Sequence, residues 1–113
     1  MSSKRGDKEF LADIQDALQQ IQAYAADYTY DQFAKDRKTQ DAIVRNLEII
    51  GEAAKQISTS LRKRHPEIPW KSLAGVRDRL IHGYFGVNYE ILWDIITREL
   101  PSLTVNIQQV LDE

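Results

Sequence analysis

The stretch Lys38-Thr39-Gln40-Asp41-Ala42-Ile43-Val44-Arg45-Asn46-Leu47-Glu48-Ile49-Ile50-Gly51-Glu52-Ala53-Ala54-Lys55-Gln56-Ile57 decides the fold class. Ile43, Leu47, Ile50, Ala54 and Ile57 return every three or four residues, and Leu61 continues the series. That rhythm paints one apolar stripe along a helix, and its length is that of a bundle seam. The spacing predicts one long helix from about Lys38 to Arg64. Gly51 in its middle is costly for a helix, which points to close packing against a neighbouring backbone.

Working outward, Phe10, Leu11, Ile14, Leu18, Ile21 and Ala25 give the same rhythm and predict a helix from Lys8 to about Tyr28. Tyr28 to Asp36 reads as a connection containing a short helical turn. Pro66 ends the second long helix, and Trp70 to Ala74 reads as a turn of helix before Gly75. A helix from Val76 to about Tyr84 is expected to end in the Gly83–Gly86 region. Asn88 is an expected N-cap for a helix through Glu99 that carries Ile91, Leu92, Ile95 and Ile96. Pro101 is expected to break it, with a last helix over Ser102–Leu111. No alternating β pattern is present. The expectation is an all-α, small up-and-down bundle of about four to five helices: a flexible segment over 1–7, then a single domain over 8–113.

The chain has 113 residues, a formal net charge of −2 and no cysteine. Disulfides and thiolate metal sites are excluded, and the charge excludes a generally basic nucleic-acid binder. No apolar run is long enough for a membrane span, and Met1-Ser2-Ser3-Lys4-Arg5-Gly6 lacks the apolar core of a signal peptide. A cytoplasmic protein with no membrane association is expected. Two histidines without an HExxH-type spacing argue against a metal site, and no glycine loop for phosphates is present. No cofactor is expected.

The chemistry concentrates in Arg77-Asp78-Arg79-Leu80-Ile81-His82-Gly83-Tyr84. Arginine grips phosphate through a bidentate fork, and histidine gives and takes protons near neutrality. Together they suit phosphodiester cleavage when the nucleophile belongs to the substrate, as the 2′-hydroxyl of RNA does. On an ideal helix a spacing of five sets Arg77 and His82 roughly 140° apart, which favours a two-fold dimer pooling these residues in one cleft. Asp78, four residues before His82, would share its helical face and could orient the imidazole. The plain alternatives remain open at this point: a helix-end histidine is commonly a cap, and Tyr84 commonly packs its ring. Arg79 reads as an exposed charge or a partner of Asp78 in preference to a second clamp, with a weak RNA contact as the functional alternative.

Arg62-Lys63-Arg64-His65 is a basic run at a helix end, where the dipole favours cations, with RNA-backbone contact as the alternative. Asp41 and Arg45 have the spacing of an ordinary helix ion pair. Glu48 and Glu52 repel each other and require relief from a cation. Trp70 and Trp93 read as core or interface anchors in preference to base-stacking platforms.

At these residues the sequence resembles a known family. Arg77-x4-His82-x-Tyr84 resembles the R-x4-H-x-Y signature of HepT-like proteins, a branch of the HEPN superfamily of α-helical ribonucleases. Arg45–Lys55, Pro66–Trp70, His82–Phe85, Leu92–Asp94 and Leu100-Pro101 resemble the family's flanking segments in the same order. The resemblance implies a toxin of a toxin–antitoxin pair, homodimeric, with a nucleotidyltransferase antitoxin (MntA-like) as partner and RNA as substrate. It implies catalytic positions at Arg77 and His82, and AMP transfer onto Tyr84 as the off-switch. Added phosphate and adenine would crowd and neutralise a cationic cleft. A metal-independent endoribonuclease is the leading expectation. The rivals are a non-catalytic nucleotide-binding subunit of the nucleotidyltransferase and a purely structural helical module.

Overall fold

The structure, a computed structural model, describes residues 5–81 and 86–113. Helix α1 spans Asp7–Ala25 and α3 spans Arg37–Gln56, and these two long helices form the largest pairing in the molecule. Leu11, Ile14, Leu18 and Ile21 from α1 meet Ile43, Leu47, Ile50 and Ala54 from α3, all buried. Each fully buried Leu or Ile contributes roughly 1.5–3 kcal/mol, so this seam is the principal stabilising feature. Between them, α2 (Tyr30–Ala34) is a capping-box helix in which Thr29 and Gln32 satisfy each other's backbone N–H groups. Its Phe33 is fully buried against Trp93, with ring centroids 5.0 Å apart.

The expected single helix over Lys38–Arg64 is two helices. Ile57 and Ser58 are extended, and α4 (Thr59–Arg64) starts afresh. The cause is a capping residue that satisfies two sets of partners. The Ser58 hydroxyl accepts the Leu61 N–H at 3.1 Å and donates to the Asp7 carboxylate at 2.6 Å, which also accepts the Ser58 N–H at 2.8 Å. Both Ile57 and Leu61 still reach the core, because the bend turns the chain along it.

Next come α5 (Trp70–Ala74) and α6 (Val76–Leu80), joined at Gly75. Gly51 explains how closely they lie on α3. A Cβ built there would sit 3.2 Å from the Leu73 carbonyl oxygen, tighter than side chains ordinarily tolerate, and in ordinary contact with Val76 Cγ1 at 3.6 Å. The close packing expected at Gly51 is therefore with the backbone of α5.

Asn88 caps α7 (Tyr89–Asp94) as expected, accepting the Ile91 N–H at 3.0 Å. Pro101 does not break the helix that follows. The chain passes through a π-helical turn (Ile95–Glu99) straight into α8 (Leu100–Leu111), with Pro101 in the first turn of α8. Leu100 N–H bonds the Ile95 carbonyl five residues back, so the turn is already widened where proline lacks a donor and its ring needs room. Leu92, Ile95, Ile96, Leu100, Leu103, Ile107 and Val110 are thus all buried, and the π turn and α8 pack against α1. The class is all-α as expected. Among the described residues the only β feature is an isolated antiparallel bridge between Ile81 and Val87, and no helix is long and apolar enough to cross a membrane.

Candidate functional site

The arginine–histidine segment departs from its expected geometry at Leu80. Helix α6 ends there, and Ile81 is extended, pairing with Val87. The Leu80 carbonyl accepts the Asn88 N–H at 2.8 Å, which fastens the same two strands of chain. Gly86, at φ +87°, takes a left-handed conformation that suits glycine just before the bridge. His82 and Tyr84 lie outside the described residues. The helix expected from Val76 to about Tyr84 thus ends at Leu80, and the expected placement of His82 relative to Arg77 and Asp78 lies outside the described residues. β-branched Ile81 favours the extended state, and the bridge to Val87 gives it a partner. Arg77 and Asp78 themselves are on α6, both exposed.

The four candidate arginines have different surroundings. Arg79 makes a bidentate pair with Glu99 at 3.1 and 2.8 Å, and these hydrogen bonds hold its guanidinium pKa above the usual arginine value against partial burial. It is tied to the π turn and is no partner of Asp78. Arg62 donates at 2.7 Å to the carbonyl of Ala54, capping the C-terminal end of α3, while its Nε is buried without a partner among the described residues. Lys63 and Arg64 are exposed at the end of α4. Arg77 is the open arginine of the motif: its side chain is 67 % exposed and its described partner, Glu48, sits 3.8 Å from Nε. That is too long for a hydrogen bond.

The cation nearest Glu48 is Arg77, in place of Arg45, and Glu52 is relieved separately by Lys55 at 3.2 Å. Asp41 and Arg45, expected to pair, do not; Arg45 instead faces a shallow hollow between α1 and α3 beside Asp13 and Glu52. Trp70 is an anchor as expected, almost fully buried, its indole N–H donating to the His65 carbonyl at 3.0 Å. Trp93 packs on Phe33 and Tyr30. His65 bridges Glu67 at 3.2 Å and Glu113 at 3.0 Å, so the tail of the basic run serves to fasten the C-terminal residue.

A cleft of about 350 Å³ separates α5 and α6 from the π turn and α8. Its floor is apolar, including Leu47, Ile50 and Leu73, and the Arg79–Glu99 pair lies at its rim. Arg77 is not part of its lining. Among the described residues no group of three His, Asp or Glu side chains is placed to hold a metal ion. Reading the sequence alone did not find the Glu48–Arg77 and Arg79–Glu99 pairs. Only the crowding of Glu48 and Glu52 signalled the first.

Residues 14–110 match the family model described as HepT-like, Ribonuclease HepT-like. A Methanocaldococcus jannaschii protein named as a candidate RNase is 42% identical over 110 residues, covering 97% of this chain and 91% of that one. The Thermococcus cleftensis protein named "Probable ribonuclease HepT" is 45% identical over 100 residues, covering 88% and 91%. A further candidate RNase, from Caldanaerobacter subterraneus, is 46% identical over 85 residues, covering 75% and 76%. No solved structure matches the chain. A family match across nearly its whole length, joined to relatives aligned end to end, places this all-α chain in the HepT-like ribonuclease family.

Proposed function

We propose that this protein is a metal-independent endoribonuclease whose site is built from Arg77 and His82. The observation that carries the reading is the availability of Arg77. Of the two arginines in the motif, Arg79 is held in a bidentate pair, whereas Arg77 is exposed and only loosely paired. The family match and the ribonuclease names of the relatives support the same reaction class.

In this mechanism the RNA 2′-hydroxyl attacks the adjacent phosphorus while its proton is taken by a base. The P–O5′ bond breaks, the leaving oxygen gains a proton, and the products are a 2′,3′-cyclic phosphate and a 5′-hydroxyl. His82 handles proton transfer, and Arg77 stabilises the charge on the phosphorane. A single motif histidine, His82, cannot serve as base and acid at the same instant, which supports a homodimer whose two copies share a cleft. Asp78 is available as an orienting carboxylate, and Lys63 and Arg64 as weak backbone contacts. The family resemblance further supports a toxin–antitoxin role in the cytoplasm, with an MntA-like nucleotidyltransferase as partner. Tyr84, two residues beyond His82, is then the position where AMP would block RNA by charge and bulk.

The test is cleavage of an RNA oligonucleotide, and not its DNA counterpart, by purified protein in EDTA. His82→Ala and Arg77→Ala are expected to lose cleavage by at least about a hundredfold with unchanged melting. Full activity in either variant would overturn the assignment. Co-expression with a cognate nucleotidyltransferase should add AMP mass that is lost in Tyr84→Phe.

A further inference from the structure

We propose that Glu48 is the positioning residue of Arg77, holding the guanidinium by its Nε side and leaving the terminal nitrogens for the phosphate. The inference rests on the reading of Arg77 as the phosphate-binding residue.

Four observations lead to it. First, the contact is placed by rigid backbone on both sides. Glu48 lies one turn before Gly51 on α3, and at Gly51 the backbone of α5 comes so close that a Cβ would meet the Leu73 carbonyl at 3.2 Å. Val76, the residue before Arg77, touches the same spot and is 3% exposed. The absence of a side chain at Gly51 therefore sets how near Glu48 and Arg77 stand.

Second, the pair has the character of an exchangeable contact. At 3.8 Å it is the longest of the described ion pairs, and it engages Nε, not the terminal nitrogens. A guanidinium offers two donor edges, and a carboxylate beside Nε leaves the far edge for a second anion. Third, the pair is a poor stability device. The two side chains are 67% and 34% exposed, and such pairs add little to folding. Fourth, two neighbouring charges are engaged elsewhere among the described residues: Glu52 has Lys55, and Arg79 has Glu99.

A carboxylate beside an anion site weakens ground-state binding of RNA, and orientation in the transition state is the compensating gain. The two effects separate in kinetics. Glu48→Gln should lower kcat by roughly tenfold through a misplaced arginine, while KM falls because an anion has left the cleft. A merely structural residue would lower active enzyme without lowering KM.

The experiment compares the full-length parent, Glu48→Gln, Arg77→Lys and the double variant on a single-stranded RNA oligonucleotide, with melting curves for each. Lysine keeps the charge but has no fork to orient, so Glu48→Gln in the Arg77→Lys background should leave kcat within about twofold. Equal loss in both backgrounds, or an unchanged kcat in Glu48→Gln alone, overturns the inference. Arg77→Ala separates it from the underlying reading. An active Arg77→Ala enzyme removes both, whereas an inactive one beside a normal Glu48→Gln removes only the role of Glu48.

Discussion

The long-helix seam of α1 and α3 and the chain of short helices over 57–81 solve different problems. The seam holds itself by repetition: Ile14, Leu18, Ile21, Ile43, Leu47 and Ile50 each fill their place, and each is at most 2% exposed. The short-helix region has few such repeats. Its position depends on single devices, namely the Asp7–Ser58 cap, the Trp70 indole bond and the bare backbone at Gly51. Arg77 stands on the second kind of structure, pressed against the first. Stability is thus concentrated in one region and site geometry in the other, and substitutions in the two should have unlike signatures.

The largest expected stability effect belongs to the seam. Ile50→Ala should destabilise by about 3–4 kcal/mol through lost contacts and a cavity beside Leu73, measured by chemical denaturation. A loss below about 1 kcal/mol would show that the seam relaxes easily and blur the contrast. Gly51→Val comes next, at about 1–3 kcal/mol from overpacking against the Leu73 carbonyl. Because α5 and α6 would be pushed off α3, RNA cleavage should fall more than stability does; parallel losses would break the proposed division. Ser58→Ala should cost about 1 kcal/mol by removing the α4 cap. Its imprint should be faster proteolysis within α4, with the α1–α3 seam unaffected.

The smallest effect is electrostatic. Asp36 accepts hydrogen bonds from the Tyr28 hydroxyl at 2.6 Å and from Thr39 N–H at 3.0 Å and its hydroxyl at 2.8 Å, which hold its carboxyl below the usual carboxylate range. A depressed folded pKa contributes stability above the ordinary carboxylate pKa, and that contribution fades as pH falls through the lowered value. The gap between parent and Asp36→Asn should therefore be present at neutral pH and close on strong acidification. A gap that widens in acid would reverse the assignment.

Much of the scaffold was legible in the sequence because periodicity reports burial directly. Ile43, Leu47, Ile50 and Ala54 are buried as their spacing required, Asn88 caps its helix, and Gly51 marks close packing. The break at Ser58 was hidden because its second partner, Asp7, lies 51 residues away. The early end of α6 was hidden for a similar reason: Ile81 is claimed by Val87, a tertiary pairing that outweighs local helix continuation. The Arg77–His82 reading came from residue types and family resemblance, which do not carry geometry. The partner of Arg77 is on another helix, where spacing within the motif cannot find it.

The π turn before Pro101 has a consequence for how this chain tolerates change in length. An extra residue in a helix normally rotates everything downstream by about a hundred degrees. Here the surplus is absorbed within Ile95–Glu99, and the buried face of α8 stays in phase with Leu92. The surplus and the proline form a matched set. Deleting one residue from the turn would tighten it into an ordinary helix, in which the Pro101 ring would strike the carbonyl four residues back. Replacing the proline first would remove that obstacle, so the order of the two edits decides whether the second is tolerated.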